Sequence, residues 1–290
     1  MKSAKNDHVN VPSQKAIITY VWHMTKFSTL FAIAATITTA LAITATQSSA
    51  AKGVAFLRLL EGHRQADGTH LAAIHIQLEP NWKTYWRAPG EGGFPPQFDW
   101  SKSKNLKAVQ IHWPAPKAYT QNGVTTIGYI DELILPITFT PKDKSAPISL
   151  KSKIDFGTCR DICVPQTANV SAKLSQKPAR PDTRIRSALK TTIRAAKIRA
   201  KCEISPISDG LKITVHLPAG NDKNAITAIE MKPDTYWVSN AVTIREKGRV
   251  QSTADIIGPT YKPFSLNRSD LLITVIGKAG AVEYRGCDAL

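Results

Sequence analysis

Apolar and polar positions alternate along the chain from Val54 to about Leu174. His70 to Glu79 alternates, with Leu71 opening the run and Ile74, Ile76 and Leu78 on one face. Leu133, Leu135 and Ile137 repeat the pattern, as do Ile148 and Leu150, and Asn169 to Leu174 closes the set. Side chains two apart on a strand share a face, so each run predicts a strand with one buried side. Gly, Pro and Asn separate the runs and no helical period intervenes. Short alternating strands at this spacing predict an antiparallel β-sandwich.

The pattern changes at Lys177-Pro178-Ala179-Arg180-Pro181. Asp182 then stands where an N-cap is wanted, and Ile185, Leu189 and Ile193 recur every four residues. That spacing predicts one amphipathic helix running to about Ala200. Its other face carries Arg184, Arg186, Lys190, Arg194, Lys197 and Arg199. A charged face is ordinarily solvated; the sharper reading is docking on an anionic membrane surface or an acidic partner. Strands resume after Cys202, at Leu211 to Leu217, Ala225 to Met231, Leu271 to Ile276 and Ala281 to Tyr284. The expected class is all-β: a first sandwich over 51–176, a basic linker helix over 177–200, and a second, smaller sandwich over 201–290. No repeat relates the two halves at sequence level.

Residues 1–50 read differently. Phe27 to Ile43 is a mostly apolar run preceded by Lys26 and followed by Ser48-Ser49-Ala50-Ala51. A basic flank, a short apolar stretch and small residues at a cleavage point are the parts of a secretory signal. The run is short and Thr-rich for a membrane span of about 20 residues. Met24 is a candidate true start, and an uncleaved N-terminal anchor is the rival reading. Both put the remainder outside the cytoplasm, with the periplasm expected.

The formal net charge is +16; losing residues 1–50 removes four lysines and one aspartate and leaves +13. Charge of that size invites nucleic acid. Export argues against it, as does the lack of any helix-turn-helix, zinc or aromatic-basic signature. No nucleic-acid partner is expected, and no cofactor is implied.

All four cysteines, Cys159, Cys163, Cys202 and Cys287, lie beyond the signal. An even count in an oxidising compartment reads as two disulfides. Residues four apart on an extended strand stand about 13 Å apart, too far for a bond that needs Cα atoms about 4.4–6.8 Å apart. Cys159-Arg160-Asp161-Ile162-Cys163 must therefore turn if bonded, and Pro165 stops it continuing as a helix. Closing so short a loop contributes only about 2 kcal/mol, against roughly 4–5 kcal/mol for joining Cys202 to Cys287. The long pair reads as a structural disulfide; the short pair does little as a staple and suits reversible exchange. Two rivals stand beside this: an inert β-sandwich adaptor with two structural disulfides, and a copper(I)-handling protein of copper tolerance. Copper sites of that kind recruit Met or His. Beyond the signal there is only Met231, and His63, His70, His75, His112 and His216 lack ligand spacing, so no metal site is assigned.

Several motifs carry a resemblance. Asn81-Trp82-Lys83-Thr84-Tyr85-Trp86-Arg87-Ala88-Pro89-Gly90, Ile111-His112-Trp113-Pro114-Ala115-Pro116, Ile127-Gly128-Tyr129, Leu133-Ile134-Leu135-Pro136 and Cys159-Arg160-Asp161-Ile162-Cys163-Val164-Pro165 occur in this order. Together they resemble the N-terminal periplasmic domain of the thiol:disulfide interchange protein DsbD, closest to the two-domain ScsB-like form. The likeness is strong over about 55–175 and extends to 180–290 only in general layout. It implies immunoglobulin-like folds and a protein-disulfide reductase or relay. Such a domain takes electrons from a thioredoxin-like or membrane-embedded thiol donor and passes them to periplasmic disulfide-bearing proteins. It also implies Cys163 as the contact cysteine and Cys159 as the resolver. The membrane segment and thioredoxin domain of full-length members have no counterpart here, so partners are expected to complete the path. The stretch matching the family's shielding loop is Tyr119-Thr120-Gln121-Asn122-Gly123, without the family's Phe. Tyr119 is thus a candidate shield, and Trp82, Tyr85 and Tyr129 are candidates for shielding or docking. With Trp86 and Trp113 they belong to an aromatic set expected mainly in packing between sheets, with one or two walling the disulfide.

Overall fold

The structure, a computed structural model, describes residues 52–290 apart from 178, 219–221 and 247–248. The expected export signal at 1–50 lies outside the described residues.

Ten strands precede the helix: β1 (Val54–Arg64), β2 (His70–Leu78), β3 (Lys83–Gly90), β4 (Gln97–Asp99), β5 (Leu106–Ile111), β6 (Lys117–Gln121), β7 (Val124–Ile130), β8 (Glu132–Pro141), β9 (Ile148–Cys159) and β10 (Cys163–Leu174). After α1 (Thr183–Lys190) come β11 (Arg194–Ala195), β12 (Ala200–Ile207), β13 (Gly210–Pro218), β14 (Ile226–Met231), β15 (Trp237–Val238) and β16 (Val242–Glu246). β17 (Arg249–Ile257), β18 (Leu271–Gly277), β19 (Gly280–Arg285) and β20 (Cys287–Ala289) complete the set. Among the described residues the fold is all-β apart from α1 and a short 3-10 turn at Arg268–Asp270.

Four sheets form. The first is ordered β1-β2-β8-β5, and the second β10-β9-β3-β7-β6 with β4 also on β9. The third is β11-β19-β18-β14, and the fourth β15-β17-β13-β12-β20 with β16 also on β17. Alternation decides what lies between them. Ile74, Ile76 and Leu78 of β2 and Leu133, Leu135 and Ile137 of β8 enter one apolar cluster with Trp86, Ile127, Leu150 and Phe156 of the second sheet. A second cluster joins Ile213, Val215 and Ile256 of the fourth sheet to Leu271 and Ile273 of the third. The predicted strands at 70–79, 211–217, 225–231, 271–276 and 281–284 are all strands within a residue or two.

The two clusters are not served by separate sets of sheets. Ala228, Ile276 and Ala281 of the third sheet belong to the first cluster. On β18, Leu271 and Ile273 face the fourth sheet while Ile276, of opposite parity, faces the first half of the chain. Arg87 reinforces this seam: its Nε donates to Glu230 at 2.9 Å and one Nη to Glu283 at 2.6 Å.

The helix departs from expectation. It ends at Lys190 rather than about Ala200. Asp182 does cap it, accepting from the Arg184 backbone N–H at 2.8 Å. Thr191 and Thr192 turn their hydroxyls back to the Ala188 and Leu189 carbonyls, a local alternative to continuing the helix. The backbone N–H of Ile193 goes to Trp113 O, and Arg194–Ala195 join β19 in parallel. Nor does α1 stand free as a linker. Ile185 is 1% exposed and packs with Leu60, Leu71 and Ala73, closing the outer face of the first sheet. Burying one Ile contributes about 2 kcal/mol, more than the propensity of an eight-residue helix could supply.

Candidate functional site

β9 and β10 form a hairpin closed by Arg160, Asp161 and Ile162, with Cys159 and Cys163 as the last facing pair. The two are disulfide-bonded, with Cα atoms 4.1 Å apart. The turn that the spacing required is this hairpin tip.

The two sulfurs live in different surroundings. Cys159 is 6% exposed, whereas Cys163 is open to solvent. Register puts Lys83 beside Cys159, and the Tyr85 ring lies against Gly157, on the sheet face that carries the disulfide. Tyr85 is buried, and its hydroxyl lies 3.1 Å from the Cys163 sulfur. Burial pushes the Tyr85 phenol above its ordinary range, so it stays a proton donor. Burial also lowers the Lys83 ammonium, which donates to Thr126 Oγ1 at 3.2 Å. Arg160 and Asp161 pair with each other at 2.9 Å in the open, so their opposing effects on a neighbouring thiol largely cancel. Ile162 at the tip is 56% exposed.

A residue absent from the expected set completes this face. Gly157 lies two residues before Cys159 on the same side of β9. A Cβ there would stand 2.8 Å from Phe94 Cβ and 3.0 Å from the Tyr85 ring. The loop 91–96, with Phe94 57% exposed, therefore folds over the sheet beside the disulfide and keeps Tyr85 dry. The readable signal was a bare glycine two residues before a cysteine, a gap that some other segment must fill.

The other candidates are distributed. Trp82 is buried at the same end of the sheet, with the Arg160 guanidinium 5.5 Å from its ring. Tyr129 lies on the core face; it donates to Pro114 O at 2.8 Å, and burial pushes its phenol well up. Tyr119 sits on β6, with β7 and β3 between it and the cysteines. Burial, then the nearby Asp131 carboxylate, raises its phenol. Of the aromatic candidates the structure brings Tyr85 against a sulfur, puts Trp82 in the core cluster near Arg160 of the hairpin tip, and leaves Tyr119 and Tyr129 elsewhere. Cys202 and Cys287 are bonded far along the chain, between β12 and β20.

Comparison with known proteins bears on this hairpin. Residues 58–175 match the family "Thiol:disulfide interchange protein DsbD, N-terminal". The matched segment contains both cysteines of the hairpin, Tyr85, Phe94 and every motif on which the resemblance was read. The family takes its name from thiol:disulfide interchange. Among solved structures, the N-terminal periplasmic domain of ScsB from Proteus mirabilis is similar, with a TM-score of 0.59 at 20% identity. That likeness covers 78% of this chain and 90% of the other, so it reaches beyond the DsbD-matched segment into the later sheets. At that identity it speaks for the fold alone. No curated protein sequence matches the chain. Among the described residues no helix is long and apolar enough to cross a membrane.

Proposed function

We propose that this protein is a periplasmic thiol–disulfide oxidoreductase or electron relay whose working group is Cys159–Cys163. Two tandem immunoglobulin-like sandwiches carry it, reached by export through residues 1–50. The observation behind this reading is the asymmetry of the hairpin pair, with an exposed sulfur at Cys163 bonded to a buried one at Cys159. A short disulfide at a hairpin tip changes redox state without dismantling a sheet, since the β9–β10 ladder continues for its whole length without it.

In the oxidised state the thiolate of a thioredoxin-like or membrane-embedded donor attacks Cys163 Sγ. The S–S bond breaks, its electron pair passes to Cys159, and that sulfur takes up a proton. A second donor thiol then attacks the mixed disulfide and releases Cys163, so two electrons and two protons have been transferred. In the reduced state Cys163 attacks a substrate disulfide. Cys159 then closes on Cys163 and expels the reduced substrate. Tyr85 O–H donates to the Cys163 sulfur and favours its thiolate by a charge-assisted hydrogen bond.

Two measurements test this. Equilibration against a glutathione series is expected to give a potential above about −300 mV, the range below which structural disulfides lie. In the periplasm, Cys159→Ser is expected to accumulate mixed disulfides at Cys163, while Cys163→Ser traps nothing. A bond that stays closed under the whole series would overturn the reading in favour of an inert adaptor.

A further inference from the structure

A groove of about 540 Å³ runs along the seam between the two halves of the chain. One wall is the end of β3 and the loop 91–96; the other is β14 and residues 234–241. The site and the groove share that loop. Gly93 lines the groove, while the adjoining Phe94 covers Gly157 beside the disulfide. At the loop's root Gly90, with φ +78, has Thr125 O and Asn240 Oδ1 so close that no Cβ fits there. The second half of the chain thus abuts the base of the loop.

The charge of the groove runs against the charge of the protein. In a chain of formal charge +16, the groove's ionisable lining is Arg87, Glu91, Glu230 and Asp234. Arg87 is already held by Glu230 and Glu283. Glu91 and Asp234 are exposed and make no ion pair among the described residues. What faces an incoming group is therefore carboxylate. Gln97, Ser239 and Asn240 add amide and hydroxyl groups of the kind that meet a peptide backbone. β15 also lines the groove and pairs only with β17 among the described strands, so its outer edge is open. Trp237 on β15 is 60% exposed, an aromatic side chain of the kind that anchors a partner.

We infer that this groove receives a basic, extended segment of the protein whose disulfide Cys163 attacks. The inference rests on the proposed exchange at Cys163 and assigns its substrate class: disulfides flanked by Lys- or Arg-bearing extended chain. The second half of the chain then serves as the selecting wall. Charge complementarity of this sort acts on encounter and orientation and weakens with salt.

The test uses the full chain and two synthetic peptide disulfides of equal length, one flanked by lysines and one by glutamates. Cysteine-to-serine analogues of both peptides report binding without exchange. At low salt the reduced protein is expected to reduce the lysine peptide on the order of tenfold faster than the glutamate peptide, with a parallel gap in binding of the serine analogues. In the double variant Glu91→Gln/Asp234→Asn both gaps are expected to close, and Trp237→Ala to weaken binding of the lysine analogue. Reduction of glutathione disulfide, too small to span the groove, should be unchanged in every variant. Equal rates and equal binding for the two peptides, or a lysine preference that survives in the double variant, would sink the groove assignment while leaving exchange intact. Failure of the exchange reading looks different, since the wild type would then reduce neither peptide nor glutathione disulfide while the serine analogues still report on the groove.

Discussion

Cys159 and Cys163 are joined across four residues at a hairpin tip, and Cys202 and Cys287 across 85. At the tip one sulfur is open and receives a tyrosine hydroxyl. In the second half both sulfurs are buried, and the Arg268 guanidinium lies on them, donating to Cys202 O at 2.8 Å. The bond also ties β12 to β20, which pair in parallel through three residues only. On the proposed reading, identical covalent chemistry is set to different work by loop length and burial. A long loop makes the bond matter to the unfolded chain, and a short one leaves it free to open.

The sharpest way to break this contrast is to remove each bond in turn. Cys202→Ser with Cys287→Ser is expected to cost about 4–5 kcal/mol in denaturant unfolding, and Cys159→Ser with Cys163→Ser about 2 kcal/mol. Exchange per folded molecule should survive the first pair of changes and vanish in the second. Equal stability losses, or retained exchange without the hairpin cysteines, would contradict the division of labour.

Next in size is the seam that joins the two regions. Arg87 is three-quarters buried with Glu230 and Glu283 around it; burial opposes its charge and the two carboxylates more than offset that. Arg87→Met leaves Glu230 without its ion-pair partner and Glu283 with the exposed Arg285 alone, with an expected loss of about 3 kcal/mol on thermal unfolding. If the halves were independent, the change would lower one of two separate transitions instead of a single shared one.

How much of this could be read from the chain varies with the distance between the partners. Strands whose apolar residues alternate were legible, because alternation is local and only the core face tolerates it. The hairpin tip was legible from spacing alone, since Cys159 and Cys163 cannot bond on an extended strand. The helix was read too long: Ile193 continues the period of four from Ile185, but Thr191 and Thr192 satisfy carbonyls of the last turn and Ile193 bonds to Trp113. Phe94 was missed because Gly-Gly-Phe-Pro-Pro has no period, and its neighbour Gly157 is far away in sequence. Arg87, Glu230 and Glu283 meet across 143 and 196 residues, a separation at which one sequence carries no signal. Tyr119, suggested by a loop that resembles the family's shield, stands on β6, with β7, β3 and β9 between it and the strand whose sulfur Tyr85 touches.

Tyr85 sharpens the comparison at a smaller scale, because the hairpin disulfide has a hydroxyl partner where the long one has a guanidinium. Tyr85→Phe keeps the ring and loses only that donor. The pH midpoint for alkylation of reduced Cys163 is expected to rise by up to about one unit, while stability changes by under about 1 kcal/mol. An unchanged midpoint would mean that the 3.1 Å contact does nothing for the thiolate.

The smallest expected effect separates the sheets by pH. His70, buried in β2 with Nε2 2.6 Å from Glu61 O, has its pKa lowered from 6.5, first by burial, with Arg64 and His63 adding to the shift. His112 in the same half is lowered by burial as well. A lowered folded value means that the unfolded chain binds more protons in this window. Stability is therefore complete above pH 6.5 and declines as pH falls from there through the folded values. His70→Gln should flatten the decline of the unfolding midpoint between about pH 7 and pH 5, in proportion to one proton per molecule. A slope that is unchanged in His70→Gln would place the proton elsewhere, with His112→Gln as the next variant to measure.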